Sequence, residues 1–215
     1  MQDENKCLYV LFSRQNTKIG RFIRLFFRNS RYSHVTVALD GSLYAMYSFS
    51  RKRHDSPFSG SFVREYPSHF FIGGRDLMVK LCRVELDDAA HERVMGRLEH
   101  CRTHSSRMLY NLYDALALPF HRRVRLRDAY TCVDFAAFLL DMDDEVSSIG
   151  EFEQRLNPYC VYEGSLMEYI AANETASPED DDYFVRRGLV AAARDLIALQ
   201  TRLWRRIHND AARVN

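Results

Sequence analysis

The sequence predicts an α+β protein, with an antiparallel sheet assembled early in the chain, helices packed against it and a long helix at the C-terminus. Three observations carry that prediction. Short β-branched and aromatic runs follow one another before about residue 90. The dipeptide Asp40-Gly41 joins two of them, as in a tight hairpin. After Asp87 the apolar spacing changes to that of helices.

Cys7–Ser13 (CLYVLFS) is a buried strand by composition. Asn16 or Thr17 then caps a helix whose apolar residues Ile19, Phe22, Ile23, Phe26 and Phe27 form one face. Two strands follow, His34 to Leu39 and Leu43 to Phe49, and the polar stretch from Ser50 to Gly60 is expected to be a loop. Short strands are expected at Ser61 to Tyr66 and Leu77 to Leu86, on either side of Gly73-Gly74. Asp87 is placed as the N-cap of a helix running to about His104, with Asp88 and Glu92 near its positive end. Next come a short apolar helix (Tyr110 to Pro119), a basic loop (His121 to Arg127) and an apolar helix from about Thr131 to Asp141. Ser177-Pro178 and the acids at 179–182 start a last helix, with Leu189, Ala193, Leu196, Leu203 and Ile207 on one stripe and Val190, Ile197 and Trp204 beside it. Residues 1–172 are expected to form one domain and 173–215 an acidic linker and an amphipathic helix packing on it.

At 215 residues and 47% hydrophobic, the chain can bury a real core. Its 30 Lys and Arg nearly balance 29 Asp and Glu, so net charge gives no reason to expect nucleic acid as a partner. The N-terminus lacks the basic and long apolar regions of a secretory signal, and no stretch approaches the roughly 20 apolar residues of a membrane span. Five cysteines, Cys7, Cys82, Cys101, Cys132 and Cys160, occur without CxxC spacing, which argues for free thiols, a reducing cytoplasm and no structural metal. The Cys-His pattern at His100-Cys101-Arg102-Thr103-His104 lacks a second cluster to complete a metal site. No cofactor is implied.

Cys132 alone among the thiols stands where a helix begins, after Tyr130-Thr131 and before Phe135, Ala136, Phe138 and Leu139. A helix N-terminus favours a thiolate and offers N–H groups to an oxyanion. On spacing alone such a cysteine is more often a core residue. His34 opens a strand, a rigid mount for a base, although a lone histidine there is also more often structural.

Several motifs in one order strengthen the pair: Arg31-Tyr32-Ser33-His34-Val35-Thr36-Val37-Ala38-Leu39-Asp40, then Leu43 to Arg51, Tyr110-Asn111, Tyr130-Thr131-Cys132-Val133-Asp134-Phe135 and Val161 to Leu166. Over roughly residues 7–170 the chain resembles the circularly permuted NlpC/P60 papain-like proteins, in which the His strand precedes the Cys helix. The resemblance implies a papain-like fold, Cys132 as nucleophile, His34 as base and a third polar group on the following strand. Ser48 is the best match for that group, with Tyr47 beside it, and strand alternation decides between them. Asp134 departs from the family pattern by setting a negative charge near the thiolate.

The resemblance implies a hydrolase of amide or peptide-type bonds acting through an acyl-enzyme. Acyl transfer to or from lipid, of the lecithin:retinol acyltransferase type, is the second reading, and a non-catalytic binding module is the alternative from another class. Tyr130 and Thr131 flank the nucleophile as substrate contacts, and Arg123 and Arg125 of the basic loop could hold an anionic substrate group. Lys18, Arg21, Arg24 and Arg28 among the phenylalanines of the first helix would suit peripheral contact with an anionic membrane, although burial against the sheet is the commoner use of such a helix.

Overall fold

Alternation along Cys7–Ser13 sends Leu8, Val10 and Phe12 into one apolar layer and Leu11 into another, and all four are buried. A strand apolar on both faces belongs in the middle of a sheet. In the computed structural model, which describes residues 6–14, 31–54, 56–117, 123–176, 178, 182–185 and 188–214, it is β1. It is followed by β2 (His34–Ala38), β3 (Met46–Arg53), β4 (Ser56–Glu65) and β5 (Met78–Glu85). The second half of the chain supplies α1 (Asp88–Thr103), β6 (Leu109–Tyr110), α2 (Leu112–Ala117), β7 (Ala129–Tyr130) and α3 (Cys132–Leu139). It ends with α4 (Ile149–Leu156), β8 (Cys160–Ser165), α5 (Leu166–Ala172) and α6 (Gly188–Val214).

The protein is α+β. Six strands form one antiparallel sheet in the order β4-β3-β2-β1-β5-β8, and β6 and β7 form a separate parallel pair. The edge strand β8, which the sequence did not disclose as a strand, runs against β5. The helix expected from residue 16 or 17 to 29 lies outside the described residues, as do Pro119, His121 and Arg122.

Two expectations in the first half are corrected. The stretch from Ser50 to Gly60 is not a loop: β3 and β4 pair through it as a long hairpin, with Ser50 opposite Ser61 and Arg51 opposite Gly60. Backbone pairing does not require apolar side chains, and a polar two-residue alternation hides such a strand. Asp40-Gly41 is not a two-residue turn either, because β2 ends at Ala38 and β3 begins at Met46. The connection is held by Asp40, whose carboxylate accepts from Ser42 N at 2.9 Å, and by Leu43, which adopts φ 59° with its side chain fully buried. Burial of a leucine there offsets the cost of a left-handed backbone.

Helix α1 begins where its sequence suggests, with the Asp87 carboxylate accepting from Ala90 N at 2.7 Å. Its buried residues Val94, Leu98 and Cys101 join the larger core with Phe135, Ala136 and Leu139 of α3 and Phe152 of α4. Phe49 of β3 stands at the centre of the seam, with ring centroids 5.1 Å from Tyr130, 5.2 Å from Phe135 and 5.9 Å from Phe62. Gly60 is required beside this seam, because a Cβ there would lie 2.4 Å from the Cβ of Tyr110.

The last helix packs on β4 and on the β6–β7 pair: Leu199 and Leu203 cluster with Leu109 and Ala129, and Ser56 donates to Asp195 at 2.7 Å. The buried stripe is thus centred on Leu199 and Leu203, with Leu196 and Ile207 partly covered, whereas Ala193, Val190, Ile197 and Trp204 face outward. Among the described residues no helix is long and apolar enough to cross a membrane.

Truncating Phe49 would empty the point where α3 meets the sheet. The Phe49→Ala protein should lose about 3–5 kcal/mol of unfolding free energy in urea titration, within the range for large aromatic-to-alanine changes in cores.

Candidate active site

Three strand residues and one helix start make up the site. His34 is the first residue of β2, paired in register with Ser13 of β1. Its Nε2 lies 2.9 Å from Oε2 of Glu65, the last residue of β4. The same carboxylate oxygen accepts from Ser48 Oγ of β3 at 2.8 Å. All three residues are buried, with His34 at 6% exposure and Glu65 at 3%.

Cys132 is the first residue of α3 and 7% exposed. It lies beside the imidazole closely enough to act on it through charge and as a side-chain partner. With Nε2 engaged by Glu65, the ring nitrogen left for the thiol is Nδ1.

Burial works against a charged imidazole, but the Glu65 carboxylate and then the Cys132 thiol overcome it, so the His34 pKa rises to about 10. Glu65 moves the opposite way: burial would raise its pKa, yet His34 and the Ser48 hydroxyl hold it below the ordinary carboxylate value, with help from His69. Both shifts favour the charged forms of the pair. The buried thiols of Cys82 and Cys101 provide a contrast, since desolvation pushes both up to about 12. Both lie in the larger core, and burial is the leading cause of each shift.

The start of α3 is fixed by a capping box. Thr131 Oγ1 accepts from Asp134 N at 3.2 Å, and Asp134 Oδ2 accepts from Thr131 N at 3.0 Å and from its hydroxyl at 2.6 Å. The first intact helical bond runs from Phe135 N to Thr131 O at 3.1 Å. The N–H groups of Cys132 and Val133 belong to the first turn, where a helix provides no internal acceptor. N–H groups in that position can donate to a negatively charged oxygen.

The residues singled out in the sequence fall into two groups. His34, Cys132 and Ser48 come together, but Ser48 does not touch the imidazole: it holds Glu65, which does. Tyr47 points the other way along β3, its ring stacked on Phe62 at 5.9 Å, and takes no part. Tyr130 packs between Phe49 and Phe138 as a core ring, and Thr131 is committed to the cap. Both of the basic-loop arginines singled out in the sequence are paired with acids. Arg123 is bound to Asp114 and Asp134, and Arg125 to Asp144 at 2.6 Å and to the carbonyl of Asp143 at 2.6 Å. His100 and His104 stack on each other at 4.4 Å while Cys101 turns into the core, so that trio does not converge. No group of three or more His, Cys, Asp or Glu placed to hold a metal occurs among the described residues.

Sequence reasoning missed Glu65. Its signal was present: in Ser61-Phe62-Val63-Arg64-Glu65, strand alternation places Glu65 with Ser61 and Val63, opposite Arg64, on a buried side where an acid requires a partner.

Comparisons of the chain with family models, with curated proteins and with solved structures found no match in any of the three.

The His34–Glu65 pair sets a pH dependence for stability. The raised histidine contributes fully below its unfolded value of about 6.5 and its contribution is lost as pH climbs toward about 10. The depressed carboxylate contributes above its ordinary pKa and is lost in acid. Urea midpoints should therefore fall between about pH 6.5 and pH 10 in the native protein, and this alkaline slope should largely vanish in Glu65→Gln, which lacks the charge that lifts the imidazole. An equal slope in the variant would mean that other groups produce it.

Proposed function

We propose that the protein is a papain-like thiol enzyme of the circularly permuted NlpC/P60 type that cleaves amide or peptide-type bonds through an acyl-enzyme on Cys132. The observation that carries this reading is the placement of a helix-start thiol beside an imidazole whose other nitrogen is held by a buried carboxylate. Core packing does not require a charged histidine, and an imidazolium that faces a thiol can hold it as a thiolate.

In the proposed reaction the Cys132 thiolate attacks the acyl carbon, forming a C–S bond while the carbonyl electron pair moves to oxygen. The Cys132 and Val133 N–H groups face that oxygen. The His34 imidazolium then gives its proton to the leaving nitrogen as the C–N bond breaks, leaving a thioester and a neutral imidazole. The imidazole next takes a proton from water, whose oxygen attacks the thioester carbon, and the acid is released with the thiolate restored. Glu65 keeps the ring oriented and favours its charged form throughout, the role of the acidic member of a triad. Ser48 and the Tyr47 position, proposed from the family resemblance, are replaced in that role by Glu65.

A non-catalytic binding module of the same fold is favoured by one observation, the low exposure of Cys132 and His34. Reactivity separates the two readings. Iodoacetamide labelling, followed peptide by peptide for the five thiols, should modify Cys132 at pH values well below the roughly 8.5 of a free thiol and below those at which Cys7 and Cys160 react. In His34→Ala the onset should shift upward only part of the way, because the helix start remains. An unchanged Cys132 profile in His34→Ala would leave the binding module as the better account.

A further inference from the structure

The cap that orients Cys132 contains a carboxylate, and on its own that carboxylate works against a thiolate. Asp134 is two residues from Cys132 on the first turn of α3, folded back on Thr131 and 9% exposed. The fields of Cys132 and Asp134 both fall on Tyr110, whose phenol they help to raise, after burial itself. Tyr110 is thus a buried neighbour of both groups, and a second negative charge in one buried site disfavours the ionised form of the first.

Arg123 is placed against this charge. Its Nη2 meets the second oxygen of Asp134, the one the cap leaves unused, its Nε lies 3.3 Å from Asp114 Oδ1, and its Nη1 donates to the carbonyl of Val146 at 2.7 Å. The guanidinium itself is fixed from below. Asp114 is 1% exposed, and its Oδ1 also accepts from Val124 N at 2.6 Å, which ties the loop carrying Arg123 to α2. Its Oδ2 is buried without a hydrogen-bond partner among the described residues. Burial and the nearby Asp134 push the Asp114 pKa up to about 6, a sign that the two acids compete for one cation. A loop that the sequence offers as an anion-binding face thus turns Arg123 inward.

We propose that Arg123 is a positioning residue for the thiol: by neutralising Asp134 from the far side of the capping box, it lets one carboxylate fix the helix start without suppressing the Cys132 thiolate. This rests on the thiol-enzyme reading above, which it extends to the residue that makes Asp134 tolerable at that position. Arginine suits the task because its planar fork serves two carboxylates and a carbonyl at once and stays charged when buried.

The test is the pH profile of Cys132 alkylation, measured in the full-length protein and three variants. The titratable and charged groups around the thiol are His34 with Glu65 from the sheet, Tyr110 from β6, and Asp134, Arg123 and Asp114 from the helix side. In Arg123→Gln the midpoint should rise by about one pH unit, a loss of about tenfold in labelling rate at pH 6. Asp134→Asn, which keeps an acceptor for the cap, should move it the other way, to lower pH. The double variant Arg123→Gln/Asp134→Asn should return close to the native midpoint, which loss of packing alone would not do. If Arg123→Gln does not fold, Arg123→Gln/Asp134→Asn is set against Asp134→Asn alone: a higher midpoint in the double variant supports the assignment and an equal one overturns it. An unshifted or raised midpoint in Asp134→Asn, or a double variant no better than Arg123→Gln, overturns the assignment of Arg123 while leaving the His34 effect in place. A native Cys132 that titrates like an ordinary thiol overturns both this proposal and the reading beneath it.

Discussion

The buried bond between His34 and Glu65 is the constraint around which the sheet is arranged. Each charge alone would be strongly disfavoured at such depth, and the two are tolerable because each is the other's partner, with Ser48 adding a hydrogen bond to the carboxylate. The partners come from the first residue of β2 and the last of β4, with β3 between them supplying Ser48. Register in this part of the sheet is therefore set by polar chemistry as well as by apolar alternation. A one-residue slip of β4 on β3 would send Glu65 to the other face and leave an unpaired acid and an unpaired imidazolium.

The helix side meets a different requirement. Helix α3 is short and almost wholly apolar, so propensity alone does little to fix where it begins. Its start is defined instead by Thr131, Asp134 and Arg123, which commit three polar side chains to one turn of backbone. The aromatic seam of Phe49, Phe62, Tyr130 and Phe135 then seats that turn against the strands. Rigid mounting on both sides is what a thiol and a base need in order to meet without a ligand to draw them together.

Much of this was legible in the sequence, and the exceptions have physical causes. Strand β1, the Asp87 cap and the Cys132 helix follow from periodicity and capping chemistry, whereas the meeting of Cys132 with His34 came only from the family resemblance. The β3–β4 hairpin was hidden by serines and arginines, which satisfy a ladder through their backbone while looking like a loop. Glu65 was hidden in turn, because an orienting group was sought on β3, where Ser48 indeed faces the right way but only as support for the acid one strand further on. Arg123 looked free because sequence shows the charge of a residue and not its partner; Asp114 and Asp134, nine residues before it and eleven after it, reach it only in the fold. The stripe read along α6 shares Leu203, Leu196 and Ile207 with the covered face, but it included the exposed Ala193 and left out Leu199, the other buried leucine.

The chain order has a further consequence. His34, Ser48 and Glu65 lie within 32 consecutive positions on neighbouring antiparallel strands, so the base and its carboxylate form a local structure. Cys132 enters from the other half of the chain, by way of a long-range aromatic seam between its helix and the strands. The thiol and the charged imidazole coexist only where the two halves have docked, and a loosened state that retains its strands and helices would separate them. On the thiol-enzyme reading, reactivity at low pH belongs to the two docked halves together and to neither half alone.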